Sequence, residues 1–487
     1  MLMRRIAAFY VCSILIFELG IAFMLHQGND LSAGPAGTQQ LAPAGQATVH
    51  PSAPPSHSSD PLLLSGLIDN LKDPLSRLLI QLIVVVVTAR AVGALFARIA
   101  QPAVVGEMVA GILLGPSLLG WLAPGVFDFI FPANTLGTLR MLSQIGVCLF
   151  LFVVGMELDA EHLRHRAQTA VVVSHVSILF PYSLGVALAL LLFRDFAPPG
   201  TKFISFALFM GISMSITAFP VLARILEEKA ISKTFLGVTA ITCAAVDDVM
   251  AWIILAVVVA VVKAGSIAGT SMTLLLAILF VAFMLLIIRR ALPMWIGRAG
   301  LHDSQMSKGL FAGVLLLVFL SALTTEVIGI HALFGAFIAG VAMPRHGQFR
   351  DLVKVRLDNF SSTFLLPIFF AFTGLRTHVG LLNDTSTWLI CGGIILVATI
   401  GKLGGSMLAA RCTGLGWNDA FSLGALMNTR GLVELIALNI GYDLGILSPR
   451  IFAMLVIMAL VTTFLTGPLL SLAWAWKTKH ALVPETV

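Results

Sequence analysis

Charge is scarce in this chain: Asp, Glu, Lys and Arg make up 11% of 487 residues, against 58% hydrophobic residues and a mean hydropathy of +0.98. So little charge excludes a soluble globular domain and implies a polytopic membrane protein. Cysteine is also sparse. The five, Cys12, Cys148, Cys243, Cys391 and Cys412, fall within or beside apolar runs without metal-ligand spacing and read as small packing residues. The net charge of +6 comes from basic residues in short loops between apolar runs, where they orient a membrane protein and imply no nucleic-acid partner.

Against that background, two adjacent carboxylates stand out. Between Lys233 and Lys263 the only charged residues are Asp247 and Asp248, inside TFLGVTAITCAAVDDVMAWIILAVVVAVV. A run of this length crosses the bilayer as a helix, and an ionisable group near its centre costs several kcal/mol, about 3 on insertion scales. Such a cost marks an ion or proton pathway.

Residues 1–26 open with Arg4 and Arg5 and continue as one apolar stretch, either a signal peptide or a retained signal anchor. Residues 27–75 form an extracytoplasmic linker whose Pro-, Gly-, Ala- and Ser-rich part, 27–61, is expected to be flexible. The transmembrane domain is expected over 76–476, with 477–487 as a short cytoplasmic tail. Run lengths suggest about thirteen core spans: 76–98, 102–122, 136–156, 168–193, 203–226, 234–262, 272–296, 309–327, 329–344, 357–375, 385–410, 418–440 and 449–476. In alternate loops, Lys and Arg number 17 on one side and 8 on the other. The richer side should be cytoplasmic, which places the C-terminus there and the linker outside.

The spans repeat. Gly106–Gly111 (GEMVAG) in the second matches Gly335–Gly340 (GAFIAG) in the ninth, and Phe150–Glu157 (FLFVVGME) in the third matches Phe369–Arg376 (FFAFTGLR) in the tenth. A separation of seven spans inverts the second copy. The expected architecture is all-α, two inverted six-helix repeats around a seventh linker helix, with a binding site near the midplane where the repeats meet.

Adjacent helical residues diverge by about 100°, so Asp247 and Asp248 cannot both face one partner. One can bind a substrate cation, Na+ or K+, in competition with a proton, while the other meets a protein group. Lys402, deep in the eleventh span among Gly401, Gly404 and Gly405, is the natural counter-ion. Ser213, Ser215, Thr217 and Pro220 should break the fifth span, and Asn428, Thr429, Arg430 and Gly431, followed by Glu434, mark the counterpart break in the twelfth. Arg430 and Glu434 are spaced to pair at i, i+4. Glu107 lacks an obvious local partner and is a candidate accessory residue. Arg376 and Glu157, closing the tenth and third spans, read as interface anchors, Arg376 also as a candidate for gating the outer side. His331 reads as a packing or interface residue.

With VVGEMVAGILLGPSLLGWL, HALFGAFIAGVAMP, LPIFFAFTGLRT, MNTRGLVELIALNIG and the acidic pair, residues 76–476 resemble the cation/proton antiporter-2 superfamily. The resemblance implies a sodium/proton antiporter-like fold with the fifth and twelfth helices crossed and broken, a homodimer in the cell membrane, and a core moving against a dimerisation domain. It assigns ion binding to Asp248 and the Lys402 partner to Asp247; Glu107 and Arg376 sit in motifs shared with plant exchangers. The Asp-Asp pair departs from the Asn-Asp of those exchangers. No cofactor is expected, nor is a nucleotide-binding regulatory domain after Lys479. The expected partners are a monovalent cation, protons and the lipid bilayer. Two other readings use the same residues: a cation channel or transporter-derived sensor gated by the buried charges, and an intramembrane aspartyl protease. The protease requires carboxylates that face one another, which adjacent helical positions do not.

Overall fold

The computed structural model describes residues 2–29, 31, 70–99, 101–157, 167–264, 266–298, 306–344 and 348–481. Most of the expected linker and the end of the expected tail lie outside them.

Among the described residues, twelve helices are long and apolar enough to cross a membrane, and a further pair, Trp417–Met427 and Leu432–Asp443, forms a span bent by 44°. One of the twelve is the N-terminal helix Leu2–Gly28, which packs on the fourth and fifth spans, with Phe17 against Phe180. The core spans otherwise follow the apolar runs. The first is Pro74–Arg98, the third Leu136–Glu157, the fourth Ala167–Phe196, the sixth Phe235–Ala264, the eighth Lys308–Ile328, the eleventh Thr385–Cys412 and the thirteenth Pro449–Ala481. The linker helix, the seventh, covers 267–298 with a π-helical turn at Met284–Ile288.

Three spans differ from their expected form. The ninth, expected over 329–344, is helical only over Ala332–Val341, about 15 Å at 1.5 Å per residue and too short to cross alone. Its start is fixed by left-handed backbone at Gly329 (φ 100°) and His331 (φ 93°), which stops the eighth helix and resets the chain. The second is interrupted: Ala103–Leu114 ends at Gly115-Pro116, and Leu119–Leu122 completes the span. The tenth starts earlier than expected, at Gln348, because the amphipathic stretch Gln348–Phe360 runs through a π-helical turn, Ser361–Leu365, into Leu366–Leu375. A count of apolar residues misses its polar first turns.

The short helices cross the long ones on glycine. A Cβ on Gly111 would stand 2.2 Å from the Phe370 carbonyl oxygen, and one on Gly374 2.0 Å from the Gly111 carbonyl carbon. In the other repeat, a Cβ on Gly340 would stand 2.1 Å from the Phe152 oxygen, and one on Gly155 2.3 Å from the Phe337 oxygen. The second helix thus crosses the tenth as the ninth crosses the third, so the two sequence matches are two copies of one backbone contact.

Packing sorts the spans into two groups. The first, second, third, eighth, ninth and tenth pack on one another, as do the fourth, fifth, sixth, eleventh, twelfth and thirteenth; the seventh runs between the groups, and the thirteenth touches the second. Each group takes three consecutive helices from each repeat. The unpaired backbone of two broken helices lies in the second group, buried away from lipid as a membrane interior requires.

Candidate functional site

The fifth span breaks after Phe203–Ser215 and restarts as Phe219–Glu228 with Pro220 in its first turn, where a missing N–H costs nothing. The twelfth breaks between Met427 and Leu432. The two extended stretches cross: the Ala218 N–H donates to the Thr429 oxygen at 3.0 Å, and the Thr217 hydroxyl oxygen lies 3.1 Å from the Met427 oxygen. Each break therefore satisfies part of the other's exposed backbone.

Four half-helix ends meet here, and charged side chains answer them. At the C-terminal end of Phe203–Ser215, Arg430 donates to the Ser213 and Met214 oxygens, both at 2.7 Å, and Lys402 donates to the Ser215 oxygen at 2.5 Å. Cations thus sit where the helix dipole is negative. Glu434 occupies the first turn of Leu432–Asp443, where the dipole is positive, and accepts from Arg430 at 3.3 Å. Ser215 itself donates to the Ile212 oxygen at 3.0 Å, so its contribution to the site is its carbonyl.

The sixth helix passes this crossing with its carboxylates pointing apart. Asp247 Oδ2 lies 2.8 Å from Lys402 Nζ, both side chains wholly buried, and accepts from the Thr217 hydroxyl at 2.7 Å and the Ser177 hydroxyl at 3.1 Å. Lys402 completes its donors with the Ser177 oxygen at 2.9 Å. It sits within the π-helical turn Ile400–Gly404, and Gly401 and Gly405 let Pro181 and Phe180 of the fourth helix pack closely against that turn. This pair is charge-matched and hydrogen-bonded on all three ammonium positions.

Asp248 is wholly buried too, yet neither carboxylate oxygen has a hydrogen-bond partner. The Phe219 N–H at the restart of the fifth helix is turned toward it but falls outside hydrogen-bond geometry. Asn428 donates to the Thr462 oxygen at 3.3 Å and leaves its own Oδ1 open, as Asp247 leaves Oδ1 open. Buried acceptors without donors invite a cation or a proton.

Other expected residues lie apart. Glu107 meets Arg90 of the first helix at 3.7 Å, a partner 17 positions away that no local spacing reveals. Arg376 pairs with Asp443 at 2.8 Å at the end of the twelfth helix. Several participants carried little sequence signal. Ser177 is one hydroxyl among many in its helix. Thr463 accepts from the Arg430 N–H and donates to the Arg430 oxygen, both at 2.9 Å, and Thr429 meets Thr466 at 3.4 Å; only the run Thr462-Thr463 with Thr466 in an otherwise apolar helix hinted at them. Trp252, four residues after Asp248 and so on the same helical stripe, stacks on Phe337 of the ninth helix at 5.7 Å between centroids. Asp248 therefore faces the boundary between the two groups, whereas Asp247 faces into its own.

The transmembrane sodium/hydrogen exchanger family matches residues 83–476. The chain belongs to that family. Among curated relatives of this exchanger, the Na+/H+ antiporter NhaS4 of Synechocystis is 45% identical over 393 residues, 80% of this chain and 96% of that one. Cation/H+ antiporter 20 of Arabidopsis thaliana is 38% identical over 80% of this chain and 48% of its own, and K+/H+ antiporter 1 of Saccharomyces cerevisiae is 33% identical over 83% and 47%. This exchanger thus spans about half the length of the plant and yeast relatives. Its fold matches the sodium proton antiporter MjNhaP1 of Methanocaldococcus jannaschii with a TM-score of 0.60 at 16% identity, over 82% of this chain and 97% of that one. Family membership makes it a transporter and not an enzyme, which removes the protease reading.

Proposed function

We propose that the chain is a secondary active antiporter that exchanges a monovalent cation, Na+ or K+, for protons across the cell membrane by alternating access. Asp248 is the shared binding group: it takes the cation or the proton, one at a time. Asp247 is the partner of Lys402, and that pair forms or breaks as the exchanged ion arrives. The observation that carries this reading is the contrast between two adjacent buried carboxylates, one held through Oδ2 by a lysine and two hydroxyls, the other without a hydrogen bond to either oxygen.

Further support comes from the crossing. Ser215, Thr217, Asn428 and Thr429 bring backbone and side-chain oxygens to the meeting point of four helix ends, a polar pocket for a desolvated cation. Arg430 and Glu434 hold the crossing in register, and Pro220 sets the restart of the fifth helix. The printed names of the relatives include both Na+/H+ and K+/H+ antiporters, so the cation is either of the two. Glu107 and Arg376 serve as accessory groups outside the binding pocket. The positive-charge asymmetry of the loops supports a cytoplasmic C-terminus, and the exposed apolar faces of the seventh and eighth helices, with Leu279, Phe283, Leu316 and Leu320, suit a homodimer.

The test is exchange in proteoliposomes bearing an imposed pH gradient. Adding Na+ or K+ collapses the gradient for the unaltered chain, and Asp248→Asn abolishes the collapse. Full exchange by Asp248→Asn overturns the assignment of Asp248.

A further inference from the structure

Among the described residues, ion pairs link the two helix groups at one face only. At that face Asp443, ending the twelfth helix, is held by two arginines from the other group: Arg376 Nη1 lies 2.8 Å from Asp443 Oδ1, and Arg140 Nη2 lies 3.0 Å from Asp443 Oδ2. Arg376 also donates to Asn439 Oδ1 at 3.1 Å, the Asn439 amide donates to the Thr373 hydroxyl at 2.9 Å, and the guanidinium lies over the Phe372 ring at 4.2 Å. At the opposite face the ion pairs stay within a group: Glu157 with Lys354 at 2.6 Å, Glu107 with Arg90 at 3.7 Å, and Arg224 with Glu228 at 3.1 Å.

The inverted repeat relates the two faces. Arg376 in FFAFTGLR corresponds to Glu157 in FLFVVGME. The last turn of the twelfth helix, with Asn439 and Asp443, corresponds to the last turn of the fifth, with Glu227 and Glu228 and no base. Both of these helices stop just before a left-handed residue, Gly445 at φ 68° and Ala230 at φ 54°. The two faces therefore differ in sign: a base on the tenth helix meets an acid on the twelfth, whereas Glu157 on the third corresponds to a position opposite acids on the fifth, so the Arg376–Asp443 pair has no counterpart at the other face.

We propose that Arg376 and Arg140 latch Asp443 to hold the carrier closed at this face, and that the opposite state breaks this latch without forming an equivalent pair at the other face. The inference rests on the alternating access argued above. It makes these three side chains determinants of which state is populated, separate from the ion-binding pocket. The latch does not touch the transported ion; it sets the balance between two states of one carrier.

The test reads conformation and transport separately on the full chain. Deuterium uptake of the reconstituted protein is followed over 376–382 and over 224–231. Asp443→Asn should raise uptake in the first segment by about tenfold and lower it in the second, a population shift of about 1.4 kcal/mol. The charge exchange Arg376→Asp with Asp443→Arg should restore the original pattern, and Arg376→Lys, which keeps the charge, should leave it in place. Glu157→Gln, whose Lys354 partner lies in its own group, should leave both segments unchanged. In a chain with its five cysteines replaced, cross-linking Arg376→Cys to Asp443→Cys should stop exchange, and reductant should restore it. Parallel changes in both segments, no change with Asp443→Asn, or full exchange by the cross-linked chain would each overturn the latch. Because uptake is read without transport, a chain that exchanged no cation would refute the antiport reading while leaving the latch measurable.

Discussion

A single side-chain contact distinguishes two neighbouring aspartates. Lys402 approaches Asp247 and cannot also reach around the helix to Asp248, since successive residues diverge by about 100°. Removing the lysine leaves a buried carboxylate without its cation, a loss of about 3–5 kcal/mol for a buried pair. Lys402→Ala is therefore expected to lower the melting temperature in detergent and to change the charge moved per cycle while sparing the ranking of cations. Transient currents on solid-supported membranes measure the second effect; an unchanged electrogenic signal would separate the pair from transport. Thr217→Val tests the same pocket more gently. It removes one of the two hydroxyl donors to Asp247 and is expected to slow exchange less than Lys402→Ala does.

At the scale of elements, two broken helices depend on each other. Arg430 serves two carbonyls of the fifth span and one carboxylate of its own, whereas Glu434 makes a single contact at 3.3 Å and leaves Oε1 open. Arg430→Met should therefore destabilise the protein more than Glu434→Gln does, because it orphans three buried acceptors instead of one donor. Equal losses in thermal unfolding would contradict this reading of the crossing. Gly374→Val tests the second crossing. Its side chain would be forced into the Gly111 backbone, and a sharp fall in folded yield is expected. The same substitution at Gly380, with open space around it, should be tolerated.

The whole molecule is two groups of helices that each borrow from both repeats. The proposed alternating access uses that partition: one group carries the ion site, and the other stays fixed in the bilayer. Orientation belongs to this scale as well. If the loops rich in Lys and Arg are cytoplasmic, a Pro484→Cys chain whose five native cysteines have been replaced should react with a membrane-impermeant maleimide in inside-out vesicles and not in right-side-out ones. The reverse pattern would invert the expected topology and move the Arg376 latch to the cytoplasmic face.

Much of this was readable from residue order. The thirteen core spans, the breaks at Ser215–Pro220 and Asn428–Gly431 and the two repeat motifs all rest on local pattern: a run long enough to span, a proline without an N–H, a glycine spaced for close approach. Hydropathy and periodicity register such features because they depend on near neighbours in the chain. The short ninth helix and the early start of the tenth escaped, since backbone at Gly329 and His331 and a polar amphipathic turn decided them. What only the tertiary structure decided were contacts between residues far apart in sequence. Ser177, Thr463, Trp252, the Arg90 partner of Glu107 and the Arg376–Asp443 pair meet their partners through helix packing, 17 to 85 positions away. Sequence alone determined that two charges are buried together; packing determined that Lys402 reaches Asp247 and leaves Asp248 open, because adjacent carboxylates point to different sides of the helix and only one side meets the eleventh span.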